Sequence, residues 1–145
     1  MCGFAGFLGG KFRKEDAGGM ADRMAQAIFH RGPDDEGIWV EQDGQIAMGF
    51  RRLSILDLSP AGHQPMASRT GRYVMVFNGE IYNHGELREE LGCLERRAED
   101  GGRRTEGAEW RGHSDTEVLL AGFEKWGLRK TLEKSVGMFA LPHIA

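Results

Sequence analysis

Residues 1–10 read MCGFAGFLGG, a cysteine directly behind the initiator methionine followed by alternating small and large apolar residues. That alternation reads as a buried strand whose glycines tolerate close backbone approach. A thiol at a chain terminus packs little and oxidises easily, so placing it beside a buried strand is wasteful unless the terminus itself is used.

The chain has 145 residues, 40% of them hydrophobic, which suits one domain or a large piece of one. Charged residues make up 28% and the net charge is −3, so no basic surplus steers the protein toward nucleic acid or an anionic membrane. Neither partner is expected. No apolar run approaches the roughly 20 residues of a membrane span, and the N-terminus lacks the basic and apolar regions of a signal peptide. A cytoplasmic protein is the expectation. Cys2 and Cys93 are the only cysteines, without CxxC spacing or a His/Cys cluster, so neither a disulfide framework nor a metal site is indicated.

Downstream, the pattern mixes short strands with a few helices. Residues 18–29 read as a helix with Met20, Met24, Ala27 and Ile28 on one face, ending at the Gly32–Pro33 pair of HRGPDDEG. GIWVEQ and QIAMGFRRLSILDLS are β-prone segments separated by Asp43–Gly44, a hairpin signal. RYVMVFNGEIYN repeats that pattern around Asn78–Gly79, which taken alone also reads as a two-residue hairpin turn. Residues 84–94 suit a helix carrying Leu87, Leu91 and Leu94 behind an Asn83 cap. The stretch from Gly92 to Gly112 is charged, glycine-rich and without periodicity, an exposed excursion. Order resumes at HSDTEVLLAGFEKWG, where Ser114 and Glu117 form a capping box, Val118 and Phe123 lie on an apolar face, and Gly127 supplies the stop.

Five segments now fall into one ordered pattern: MCGFAGF, HRGPDD, RLSILDLS, FNGEIYNHGELR and HSDTEVLL. Together they resemble the N-terminal glutaminase domain of glutamine-hydrolysing asparagine synthetases, class II glutamine amidotransferases of the N-terminal-nucleophile type. The resemblance implies an α+β fold, a four-layer α/β/β/α sandwich, and release of ammonia from L-glutamine. It covers residues 2–141 as a partial domain and leaves residues 142–145 as a non-family tail.

The same resemblance assigns the chemistry. Removal of Met1 would expose Cys2 with both a thiol nucleophile and an α-amine, whose pKa of about 7.7–8.0 makes it a usable base near neutrality. The Asn78 side chain and the Gly79 backbone N–H would stabilise the oxyanion. Arg52 would grip the α-carboxylate of glutamine and Asp115 its α-ammonium, with backbone groups of Leu53 and Ile55 and the carboxylate of Glu80 completing the pocket. Arg51 is expected on the opposite face of its strand, and His30, Asp34 and His113 stay outside the catalytic set.

No cofactor is implied for the glutaminase step. ATP and Mg are implied only for a synthetase domain, supplied by a longer chain or a separate polypeptide, because no pyrophosphate-loop pattern occurs here. The ending GMFALPHIA departs from the family, since Pro142 interrupts a strand unless it lies at an edge, and a sandwich incomplete at its C-terminus is the expectation. A non-catalytic or unstable remnant that only binds glutamine or a partner, and the glutaminase of another class II amidotransferase, are the alternatives.

Overall fold

The computed structural model describes residues 2–9, 12–54, 60–96 and 110–144. Strand β1 (Gly3–Leu8) forms from the opening residues, but it is not the buried strand expected: it lies at the edge of its sheet, only Gly3 is buried, and Leu8 is 82% exposed. It lies antiparallel to β3 (Ile46–Arg52), whose other edge pairs antiparallel with β2 (Asp35–Val40), giving the order β1-β3-β2. The β2–β3 hairpin turns at the expected Asp43–Gly44, where Gly44 N–H donates to the Glu41 carbonyl at 3.0 Å.

Alternation along β3 gives the sheet two faces. Ala47 packs toward helix α1 (Lys14–Ala27), together with Ala17 and Ala21. This helix begins four residues before the expected span and buries Ala17, Ala21 and Ala25, not the Met20, Met24, Ala27, Ile28 face; Ala27 is exposed. The reason is the closeness of approach: a Cβ on Gly49 would lie 2.8 Å from the Ala21 carbonyl oxygen and 3.0 Å from the Ala25 methyl. Only small residues fit between helix and sheet, so a reading weighted toward large apolar side chains picks the wrong stripe.

The opposite face carries Met48 and Phe50, which pack with Val76; Cys2, Phe4, Trp39 and Ile144 close around them. Val76 lies in the short link between two strands of a second set. β4 (Met66–Ala67), β5 (Val74–Met75) and β8 (His143–Ile144) form an antiparallel sheet in the order β4-β5-β8, and β6 (Asn78–Ile81) pairs antiparallel with β7 (Gly137–Ala140). Pro142 does break the strand, separating β7 from β8. Its carbonyl accepts from Val76 N–H at 3.3 Å.

Helices α2 (His84–Arg96), α3 (Asp115–Trp126) and α4 (Leu128–Lys134) accompany this second set. Phe77, Ile81, Leu87, Leu91, Val118, Leu119, Leu120 and Phe123 form the largest core cluster. Ser114 caps α3, its hydroxyl accepting from Glu117 N–H at 3.3 Å. The Glu117 carboxylate does not reach back to Ser114; it accepts from the Arg111 and Gly112 amides at 2.8 and 3.1 Å. Gly127 ends the helix at φ 82° as expected.

Two local expectations are corrected. Asn78–Gly79 is not a turn: both residues lie within β6, opposite Ala140 and Phe139 of β7, so a long-range partner displaced the local hairpin. Asn83 does not cap α2 through its side chain, which instead donates to the Lys134 carbonyl at 3.0 Å and accepts from Val136 N–H at 2.8 Å. The side chain of Leu94, and residues 97–109 of the expected excursion, lie outside the described residues. Among the described residues no helix is long and apolar enough to cross a membrane. The architecture as a whole is mixed α and β.

Candidate active site

The register of the first sheet determines what surrounds the terminal cysteine. Gly3 lies opposite Arg51, so Cys2, one residue earlier, comes alongside the end of β3. There its half-buried Sγ meets both backbone groups of Leu53: the thiol donates to the carbonyl at 3.6 Å and accepts from the N–H at 3.4 Å. The Cys2 carbonyl accepts from Arg31 Nη2 at 3.3 Å. Arg31 lies in a short 3-10 turn, Phe29–Arg31, just after α1.

The same period of two separates the adjacent arginines. Arg51 turns away, donating through Nε to the Gly32 carbonyl at 3.0 Å, pairing with Glu36, and stacking 4.5 Å over the Phe29 ring. Arg52 turns toward Cys2 and is buried with its Nη1 3.9 Å from Asp35 Oδ2. Its guanidinium lies against Gly62, in a slot that any side chain there would fill. Asp35 is shared with His63, whose Nδ1 lies 2.9 Å from the same oxygen.

From the other side, β6 and the start of α3 supply the facing wall. Asp115 sits in the first turn of α3, 7% exposed, and its Oδ2 accepts from Ile81 N–H at 3.0 Å. Burial pushes its carboxyl above the ordinary carboxylate value, and hydrogen bonds from the Ile81 and Thr116 backbone together with the His84 charge oppose that rise. The acid therefore ends a β-strand's hydrogen bonding and faces the cavity at once.

These pieces enclose a cavity of about 230 Å³. Cys2, Arg52, Leu53, Asn78, Gly79, Glu80 and Asp115 all line it, and Ile55 lies outside the described residues. The volume falls below the roughly 300 Å³ at which pockets for drug-sized ligands begin, a size that suits a single amino acid. A cation and an anion on separate walls, with a thiol between the strands, can hold a zwitterion and present its side chain to sulfur. A larger cavity of about 480 Å³ lies beside α2 and α3, lined by Trp110, Arg111, Glu117 and Glu124 among others, and no thiol lines it among the described residues.

Asp34 fixes a turn: its N–H donates to the Arg52 carbonyl at 3.0 Å and its carboxylate accepts from Ser54 N–H at 2.8 Å. His30 is exposed, and neither it nor His113 lines the cavity. Three participants went unread in the sequence: Arg31, Gln64 and Thr116. Arg31 stands inside HRGPDD, where histidine and aspartate draw attention first. Gln64 and Thr116 carry no charge, and only the tertiary structure brings them to the cavity wall.

Similarity to known proteins spans nearly the whole chain. A family model described as a glutamine amidotransferase domain matches residues 1–143. A putative glutamine-hydrolysing asparagine synthetase of Mycobacterium tuberculosis is 39% identical over 152 residues, covering 97% of this chain and 21% of its own length. Asparagine synthetase 1 of Bacillus subtilis is 40% identical over 146 residues, covering 97% and 20%. The chain thus spans about a fifth of the length of these relatives. Among solved structures, the B. subtilis glutamine phosphoribosylpyrophosphate amidotransferase, complexed with ADP and GMP, superimposes with a TM-score of 0.67 at 16% identity, over 100% of this chain and 35% of that one. That likeness is one of fold. The family match over nearly all of the sequence shows that this chain belongs to the glutamine amidotransferase domain family.

Proposed function

We propose that this chain hydrolyses the side-chain amide of L-glutamine to glutamate and ammonia, with Cys2 as nucleophile. The observation that carries the reading is the single cavity holding the Cys2 thiol, the Arg52 guanidinium and the Asp115 carboxylate. With Met1 removed, the α-amine of Cys2 takes the thiol proton as sulfur attacks the amide carbon. Asn78 and the Gly79 N–H receive the developing oxyanion. The intermediate collapses to a γ-glutamyl thioester, and the proton held by the amine leaves with ammonia. Water, activated by the same amine, then splits the thioester to glutamate and regenerates the thiol. Arg52 and Asp115 hold the substrate's carboxylate and ammonium, with Leu53 and Glu80 completing the pocket.

The ammonia is used by an ATP- and Mg-dependent synthetase domain of the asparagine synthetase kind. The names of the relatives support that acceptor, and so does the rim of the cavity. Tyr82 and Met138 line its mouth while remaining 60% and 67% exposed, and Val136 beside them is 58% exposed. Apolar side chains at an open mouth suit burial against a further domain. The full layering, helix α1 and the helices α2 and α3 outside two facing sheets, is the four-layer sandwich of N-terminal-nucleophile hydrolases in this reading. The test is glutamate release from glutamine by the purified chain, compared with a Cys2→Ala variant.

A further inference from the structure

Gln64 is buried at 7% exposure and lines the active-site cavity, yet the reaction above gives it no task. Its carboxamide is used in both directions. Oε1 accepts from Phe77 N–H at 2.6 Å, and Nε2 donates to Thr116 Oγ1 at 3.3 Å. Phe77 immediately precedes Asn78, and Thr116 immediately follows Asp115. A second bond, from Ile81 N–H to Asp115 Oδ2 at 3.0 Å, joins β6 itself to the same helix on the far side of Asn78–Glu80, Phe77 being the residue just before that strand. The two links bracket the segment that would hold the oxyanion. An amide is the side chain that meets one donor and one acceptor without adding charge, whereas a carboxylate here would set a second anion near the buried Asp115.

We infer that Gln64 is a positioning residue which fixes the distance between the oxyanion donors of Asn78–Gly79 and the ammonium-binding Asp115, and so selects substrate length. The kinetic part rests on the glutaminase reading; the link between strand and helix is a property of the fold. Glutamine and asparagine share the same amide and the same α-groups and differ by one methylene between them. A rigid spacing rejects the shorter amino acid, and a loosened one discriminates less.

The test uses the whole chain with Gln64→Met, which cuts both bonds, Thr116→Val, which cuts only the link to α3, and Thr116→Ser, which keeps the hydroxyl. Amide hydrogen exchange at Phe77 should accelerate about tenfold in Gln64→Met while exchange at Phe123 in the core is unchanged. The ratio of kcat/KM for glutamine over asparagine should fall about tenfold in Gln64→Met and Thr116→Val and stay at the wild-type value in Thr116→Ser. A purely structural role would lower both substrates' rates together and leave the ratio alone, which overturns the proposal. Unchanged exchange at Phe77 overturns it as well, whatever the rates. If Gln64→Met does not fold, the ratio in Thr116→Val decides. A wild-type chain that releases no glutamate, with exchange responding as described, sinks the glutaminase reading and leaves the strand–helix link standing.

Discussion

Both backbone groups of Leu53 address the sulfur of Cys2, the carbonyl at 3.6 Å and the N–H at 3.4 Å. One peptide residue thereby fixes where the thiol points. The arrangement follows from strand register, because Cys2 precedes β1 and Leu53 follows β3, and the two strands are antiparallel neighbours. Holding the sulfur to main chain keeps it placed without help from a side chain that substrate would need.

Asn78→Ala removes one oxyanion donor while leaving the backbone of β6 able to pair with β7. Its kcat for glutamine should fall roughly 10²- to 10³-fold with a smaller change in KM. Circular dichroism on the same sample should match the wild type. Because Asn78 sits within a strand and not at a turn, loss of folding is not the expected outcome.

Asp115→Asn separates binding from stability. Burial raises the Asp115 pKa above its ordinary 3.8, so the ionised form is the one folding disfavours. The corresponding stability is fully present below the ordinary value and is lost as pH rises through the folded pKa. At neutral pH the amide variant should therefore melt no lower than wild type, its Asn still able to accept from Ile81 N–H, while KM for glutamine rises steeply. Any thermal advantage should vanish in acid, where wild-type Asp115 is protonated.

Gly62→Ala tests the slot that orients Arg52. A methyl there would sit 2.8 Å from Arg52 Cζ and closer still to Nη2, so the guanidinium must move. What gives way is the far end of a flexible side chain, which spares the fold. We expect KM for glutamine to rise about tenfold, with thermal unfolding close to wild type. A variant with wild-type KM would show that the guanidinium reaches the carboxylate from another position.

How much of this was legible beforehand depends on whether the signal was local. β1, the β2–β3 hairpin at Asp43–Gly44 and the Ser114 cap of α3 each rest on neighbouring residues, and each stands where its sequence placed it. The residues that line the candidate site are legible as motifs in order, although their meeting around one cavity depends on pairings between strands far apart in sequence. Asn78–Gly79 was ambiguous for that reason: the dipeptide favours a turn locally, and β7, nearly sixty residues later, draws it into a strand. The alanine stripe of α1 was misread because its evidence lies in Gly49, on another element. Gln64 was invisible because a neutral amide becomes informative only when both of its partners are known.

The central claim is that Cys2, freed of Met1, is the nucleophile that splits glutamine. The most direct measurement is glutamate release from L-glutamine by the purified chain and by Cys2→Ala, with intact mass recorded on both and on a glutamine-containing sample quenched in acid. The account predicts turnover by a wild-type chain that begins at Cys2, a quenched species heavier by a γ-glutamyl group, and neither in Cys2→Ala. Turnover by a preparation that retains Met1, or substantial turnover by Cys2→Ala, would contradict it.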